Sequence, residues 1–295
     1  MIGAFLRTLR PRQWTKNLLV FAGVLFSRQI GQPGLFTRAF AGFVAFSLLA
    51  SVVYVINDVL DAPADRLHPR KRQRPVASGE LPAGVALAGL VPILALVVAL
   101  SMWLGMRFET VLAVYFVINL AYTLALKRVL LLDVFVIAIG FVLRAIAGVA
   151  LLLPVAPGTE LSPWLLVCTF FGALFLGLAK RRRELAGESA ARARAVLEQY
   201  SADILDSMLV VSAAASLMSY ALYTIWPATV AKFHTEALMI TVPLVAYGIF
   251  RYLYLVRVSE QTEDPSMVLL GDRPLALCVL LYLATVAFIL YVHAS

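Results

Sequence analysis

The chain has 295 residues, of which 62% are hydrophobic and only 14% charged, with a mean hydropathy of +0.89. Soluble domains carry about a quarter charged residues, so a soluble fold is excluded and an integral membrane protein is expected. The formal charge of +8 needs no nucleic-acid partner, because membrane orientation and anionic lipid head groups account for it.

About nine apolar runs are long enough to cross a bilayer as helices: 15–32, 36–57, 84–105, 108–126, 130–153, 162–180, 204–226, 236–256 and 273–293. The period-2 alternation of a membrane barrel is absent, so the expected fold is all-α, a polytopic helical bundle forming one integral membrane domain over 1–295. The first run is followed by Ser27, Arg28 and Gln29 rather than a small-x-small cleavage site, and is taken as a helix. Cys168 and Cys278 both fall inside runs and give no sign of a disulfide or a metal site.

Lysine and arginine are distributed unequally between alternate loops. One set holds Arg7, Arg10, Arg12, Lys16, Arg66, Arg70, Lys71, Arg72, Arg74, Lys127, Arg128, Lys180 to Arg183, Arg192, Arg194, Arg251, Arg257 and Arg273, and the other Arg28, Arg38, Arg107 and Lys232. By the positive-inside rule the N-terminus and the long loops are expected on the cytoplasmic side of the plasma membrane.

Near the start, "RPRQWTKN" places Lys16 and Asn17 beside Trp14. The tryptophan is expected as an interfacial anchor; Lys16 and Asn17 fit either anchoring or substrate contact. The segment after the second run, about 58–83, reads "NDVLDAPADRLHPRKRQRPVASGEL" from Asn57. Asp58, Asp61 and Asp65 fall at i, i+3 and i+7, one stripe of a continuous helix with Asn57 at its edge. Carboxylates so placed repel each other, and a divalent cation, Mg²⁺ for oxygen-only ligands, would relieve that. Pro63 is expected to end or kink the helix near Asp61, leaving Asp65 to reach the site from the loop. Arg66, Lys71, Arg72 and Arg74 follow as a phosphate clamp, and His68, beside Pro69, reads as a turn residue.

Farther on, Tyr122 and Lys127 close the fourth run, and Asp133 and Arg144 lie in or near the fifth, where ionisable groups face the bundle interior as functional groups or a buried pair. The second long segment, about 181–203, begins at "AKRRREL". Lys180–Glu184 and Arg181–Glu184 are spaced for intrahelical pairs, and Arg194, Glu198 and Tyr200 mark an amphipathic stretch that suits an interfacial helix or a lid.

"NDVLDAPAD" followed by "RPVASG" resembles the Asn-Asp-x-x-Asp-x-x-x-Asp motif and Arg-Pro-x-x-Ser-Gly tail of the UbiA superfamily of intramembrane prenyltransferases. Within it, "RPRQWTKN", "HPRKRQRPVASGELP", "LRAIAG" and "AKRRREL" with a following "LEQYS" are most similar to decaprenyl-phosphate phosphoribosyltransferases. The superfamily's second aspartate-rich motif is replaced by bases and glutamates, with Asp203 and Asp206 arriving later. The resemblance implies transfer of 5-phosphoribosyl from 5-phosphoribosyl 1-diphosphate to a polyprenyl phosphate within the lipid bilayer. Asn57, Asp58, Asp61 and Asp65 would hold Mg²⁺ on the donor, Arg66, Lys71, Arg72 and Arg74 would clamp its phosphates, and Lys180, Arg181 and Glu184 would complete the pocket from the second loop. Lys16, Asn17 and Arg144 would meet the lipid phosphate, with Tyr122 and Lys127 as further substrate contacts. A homo-oligomer is compatible with this pattern. A prenyltransferase acting on an aromatic or quinone precursor, and an anion or lipid transporter, are the alternatives.

Overall fold

The computed structural model describes residues 1–27, 34–69, 71–157, 159, 162–186, 195–258 and 271–292. Among them there are α- and 3-10 helices and no strand, as the cost of unsatisfied backbone in lipid requires. Among the described residues, eight helical segments are long and apolar enough to span: Leu35–Leu67, Ala83–Leu104, Met106–Leu124, Leu132–Ala150, Pro163–Leu185, Ala202–Ile225, Ala237–Val258 and Arg273–Leu290. The protein is a multi-pass membrane protein. The remaining apolar run, 15–32, is a 3-10 helix over Pro11–Phe21 continued by an α-helix over Ala22–Ser27, and its last residues lie outside the described set.

Two compact units are present, Met1–Lys127 with Gly140–Leu161, and Arg128–Ile139 with Ser162–Ser295. The first contains α1 (Ile2–Thr8), the 3-10 helix Pro11–Phe21, α2 (Ala22–Ser27), α3 (Leu35–Leu67), a 3-10 turn Lys71–Gln73, α4 (Ala83–Ala88), α5 (Leu90–Leu104), α6 (Met106–Leu124) and the later part of α7 (Leu132–Ala150). The long helix α3 is its spine, packing on α5, α6 and the 3-10 helix. Phe46, Leu104, Phe108, Leu151 and Leu152 form a core with little or no exposed surface. Glycine permits one close approach: a Cβ on Gly23 would lie 2.0 Å from Gly148 O, and one on Gly148 2.3 Å from Val20 O. Arg38 closes one end by donating through Nε to Leu151 O at 2.8 Å, with its guanidinium over the Trp103 ring.

The second unit holds the start of α7, α8 (Pro163–Ala186), a 3-10 turn Ala195–Gln199, α9 (Ala202–Ile225), α10 (Pro227–Phe233), a 3-10 helix Ala237–Thr241, α11 (Val242–Val258) and α12 (Arg273–Val292). Helix α8 lies along α9, and α11 packs on α9 and α12. Ser201 caps α9, its Oγ accepting the Ile204 N–H at 3.2 Å. Both cysteines are free thiols.

Candidate functional site

At about 3.6 residues per turn, Asp58 and Asp65 come round to nearly one direction on α3, with Asp61 beside Asp65 and Asn57 at the edge of the same face. The structure pairs them accordingly. Arg74 Nη1 donates to Asp58 Oδ1 at 3.1 Å and to Asp65 Oδ2 at 2.6 Å, and Arg10 Nη2 also donates to Asp58 Oδ1. On the other side, Lys127 Nζ donates to Asn57 Oδ1 at 3.2 Å and to Asp61 Oδ1 at 2.6 Å. Three acids are therefore met by three bases. The Asp58 and Asp65 side chains are 2% and 6% exposed, and those of Arg10 and Arg74 are 27% exposed. Asp58 and Asp65 form the inner layer and the guanidiniums the outer one, whereas Asp61, 29% exposed, lies outside Lys127, 11% exposed.

Of the two expectations at Pro63, an end or a kink near Asp61, the end is corrected, because the helix runs through Pro63 to Leu67. Proline removes one intrahelical hydrogen bond. Burial of Ala62 in the core beside Val52, Val55 and Leu81, together with the Arg74 bridge across Asp58 and Asp65, favours continuation. Asp65 thus reaches the site from the helix, not from the loop. The helix stops at His68, which is extended (ψ 132°) as a residue before proline prefers. His68 Nδ1 accepts the Lys71 N–H at 3.4 Å, and the turn through Lys71–Gln73 returns Arg74 over α3. Arg66, exposed, donates through Nε to Ala77 O at 3.2 Å and braces that return. Arg72 is exposed on the turn and Lys71 half-buried; Arg70 lies outside the described residues.

A second polar group in the same unit surrounds Arg144, which is 5% exposed. Its Nε donates to Asn17 Oδ1 at 2.7 Å, Nη1 to Gly140 O at 2.7 Å and Nη2 to Tyr115 OH at 3.0 Å. Asn17 in turn donates to Ser47 Oγ at 3.0 Å. The guanidinium lies over the rings of Phe46, Tyr115 and Phe141, and no ion pair joins it to an acid among the described residues. Lys16 is half-buried beside Asn17 in sequence, and Tyr122 is half-buried near the end of α6. Trp14 donates through Nε1 to Ser51 Oγ at 3.0 Å, so its polar end serves α3.

In the second unit, Lys180 and Arg181 both pair with Glu184 as the spacing predicts. Arg181 does more: its Nε donates to Asp133 Oδ2 at 2.6 Å, with 2% and 0% of the two side chains exposed. Tyr200, itself buried, donates to Asp133 Oδ1 at 2.8 Å and accepts the Leu131 N–H at 3.1 Å. Burial first, then the neighbouring carboxylate, pushes the Tyr200 hydroxyl well above the usual phenol range. Asp206 is taken by Arg182 at 3.0 Å. Glu198 is exposed, while Arg28, Arg192 and Arg194 lie outside the described residues.

Sequence reasoning brought Asn57, Asp58, Asp61 and Asp65 to one helix face, but it missed Arg10 and Tyr115 as partners and gave Lys127 only a general role. Arg10 stands 48 positions before Asp58, and no local periodicity connects them. One signal was present: Arg10 precedes a proline within an already polar segment.

The acids suit a hard divalent cation by chemistry, since all donors are oxygens. They also suit it by placement, because one nitrogen, Arg74 Nη1, touches both Asp58 and Asp65 and a small cation in its place would do the same. No group of three or more His, Cys, Asp or Glu side chains capable of holding a metal occurs among the described residues. A cation there would complete its shell from water and substrate oxygens, the usual condition for Mg²⁺.

A sequence model of the UbiA prenyltransferase family matches residues 17–271. The decaprenyl-phosphate phosphoribosyltransferase of Mycolicibacterium smegmatis is 34% identical, the match covering 99% of this chain and 93% of that protein. The enzyme of the same name from Corynebacterium glutamicum is also 34% identical, over 97% of this chain and 86% of that one. Among solved structures, a UbiA homolog from Archaeoglobus fulgidus bound to GPP and Mg²⁺ superposes with a TM-score of 0.72, covering 98% of this chain and 99% of its own, at 19% identity. That last likeness establishes the fold.

Proposed function

The chain belongs to the UbiA prenyltransferase family, and we propose that within it the protein transfers 5-phosphoribosyl from 5-phosphoribosyl 1-diphosphate to a polyprenyl phosphate such as decaprenyl phosphate. The observation that carries this reading is the 34% identity, over nearly the whole chain, to relatives bearing that enzyme's name. The charge pattern supports it, since acids backed by bases at the end of α3 suit a metal-bound diphosphate.

In this reading Asp58 and Asp65, with Asp61 and Asn57 beside them, hold Mg²⁺ on the donor; the cation, when bound, offsets charge on the departing diphosphate. Arg74, Lys71, Arg72 and Arg66 bind and orient the donor's phosphates. Lys16, Asn17 and Arg144 receive the lipid phosphate, with Tyr122 and Lys127 as further contacts, and Lys180, Arg181 and Glu184 stand as substrate-binding candidates of the second unit. An oxygen of the lipid phosphate attacks ribose C1, the bond from C1 to the diphosphate oxygen breaks, and diphosphate leaves with the electron pair. The nucleophile is already an anion, so no general base is required. Positioning two anions against each other carries most of the rate. The excess of lysine and arginine in the long loops supports a cytoplasmic active site at the plasma membrane, where the product would serve as a lipid-linked pentose for cell-envelope synthesis.

The test is incubation of the purified protein with labelled 5-phosphoribosyl 1-diphosphate and polyprenyl phosphate, with Mg²⁺ or with chelator, followed by lipid extraction. Metal-dependent label in the lipid phase is expected; its absence in folded protein removes the assignment. A second reading, prenyl transfer from a prenyl diphosphate, is favoured by the GPP bound to the A. fulgidus homolog, and product mass separates the two.

A further inference from the structure

Two guanidiniums converge on one oxygen of Asp58. Arg10 Nη2 and Arg74 Nη1 both donate to its Oδ1. Arg74 has a second acid, Asp65, whereas Asp58 is the only acid paired with Arg10 among the described residues. Arg10 is therefore a surplus donor: without it, Asp58 keeps the Arg74 contact.

The Arg10 backbone is also unusual. It adopts φ 52° and ψ 57°, the left-handed region that non-glycine residues rarely occupy, directly before Pro11. Leu9 O, one residue earlier, accepts from the buried Ser51 hydroxyl at 2.8 Å, and the Arg10 guanidinium lies 5.1 Å from the centroid of the Tyr54 ring. The main chain is held by Leu9 O and by Arg10 O, which accepts the Gln13 N–H at 2.8 Å, while the side chain stays partly exposed over an acid that is almost fully covered. Such strain, held in place by its surroundings, clusters at functional positions.

Charge matching gives the arrangement a consequence. A bare divalent cation approaching Asp58 and Asp65 meets two guanidiniums first, and a bare diphosphate meets guanidiniums already paired with acids. A metal and a diphosphate arriving together can exchange every partner, carboxylate to metal and guanidinium to phosphate oxygen. Resting on the metal–diphosphate reading above, we propose that Arg10 is a displaceable counter-ion, which yields Asp58 to the divalent cation and takes a diphosphate oxygen in return. Arg10 thereby makes metal and diphosphate binding mutually dependent.

The measurement is Mn²⁺ binding to the full-length protein in detergent, by electron paramagnetic resonance, with and without inorganic diphosphate. Wild-type protein is expected to bind Mn²⁺ weakly alone and about tenfold or more tightly with diphosphate. Arg10→Gln should bind Mn²⁺ alone about tenfold more tightly than wild type and lose most of the enhancement by diphosphate. Arg7→Gln, which removes the same charge from the exposed pair with Glu80, should leave both constants unchanged. If Arg10→Gln binds Mn²⁺ alone no tighter than wild type, or if Arg7→Gln reproduces its effect, the proposal is overturned. Should Arg10→Gln fail to fold, Arg10→Lys serves, whose shorter point charge should give the same direction at smaller size; no tightening there is equally fatal. Wild-type protein that binds no Mn²⁺ even with diphosphate would instead defeat the metal–diphosphate reading itself.

Discussion

Arg181 and Asp133 form an ion pair with almost no exposed surface, 2.6 Å from Nε to Oδ2, and Tyr200 completes it by donating to the other carboxylate oxygen. Breaking such a pair from one side leaves a buried charge uncompensated, at a cost of about 3–5 kcal/mol. Asp133→Ala is therefore expected to lower stability in detergent by about that amount, and Asp133→Leu with Arg181→Met to recover most of it. A single variant that unfolds at the wild-type temperature would show the pair to be dispensable. The Tyr200 hydroxyl has its folded-state pKa raised, so its contribution is fully present below the ordinary phenol value. It fades only as pH rises through the folded value, and stability at neutral pH should not depend on its titration.

Asp58→Asn should remove turnover while leaving the fold. The amide keeps nearly the same volume beside Ala62 and can still accept from Arg74, but it cannot hold a divalent cation as a carboxylate does. A loss of about a hundredfold or more is expected, with an unchanged thermal transition. Turnover within a few-fold of wild type would take Asp58 out of the metal site.

What the sequence revealed and what it concealed divide along physical lines. Apolar run length located the spans because bilayer thickness fixes it, and the i, i+3, i+7 spacing of Asp58, Asp61 and Asp65 located the acidic face because a helix repeats locally. Pro63 does not end the helix, since the local rule about proline gave way to the pairing of Asp58 and Asp65 by Arg74, a tertiary contact. Arg10 and Asp58, Asn17 and Arg144, and Asp133 and Arg181 lie tens of residues apart in the chain. Nothing in a periodic pattern joins them, which is why Arg10 and Arg181 could be counted for topology while their acids went unseen, and why Arg144 was joined to Asn17 only through the resemblance.

Gly23 and Gly148 set how closely α2 and α7 approach. A methyl group on Gly148 would stand 2.3 Å from Val20 O, and backbone cannot swing aside as a side chain does. Gly148→Ala is expected to cost about 1–3 kcal/mol through overpacking. Gly84→Ala, on α4 with nothing within 4 Å of the added carbon, should be neutral or stabilising by about 0.4–1 kcal/mol. Thermal unfolding of the two variants in one detergent compares them directly, and equal behaviour would refute the close-approach account.

Arg144 offers a way to separate the lipid from the sugar donor. Its three hydrogen bonds run to Asn17, Gly140 and Tyr115, none of them an acid, so its charge is not cancelled by a paired carboxylate among the described residues. Arginine supplies five donors in a rigid fork, and lysine supplies a point charge that cannot reach all three partners at once. Arg144→Lys should therefore keep the charge but loosen the position of Asn17, raising KM for polyprenyl phosphate about tenfold while leaving KM for 5-phosphoribosyl 1-diphosphate within about twofold. Arg144→Met removes the charge as well and should add a fall in kcat. If both variants raise the two KM values equally, or if the effect tracks only a lowered thermal transition, Arg144 is a packing element of the first unit and not a contact of the lipid phosphate.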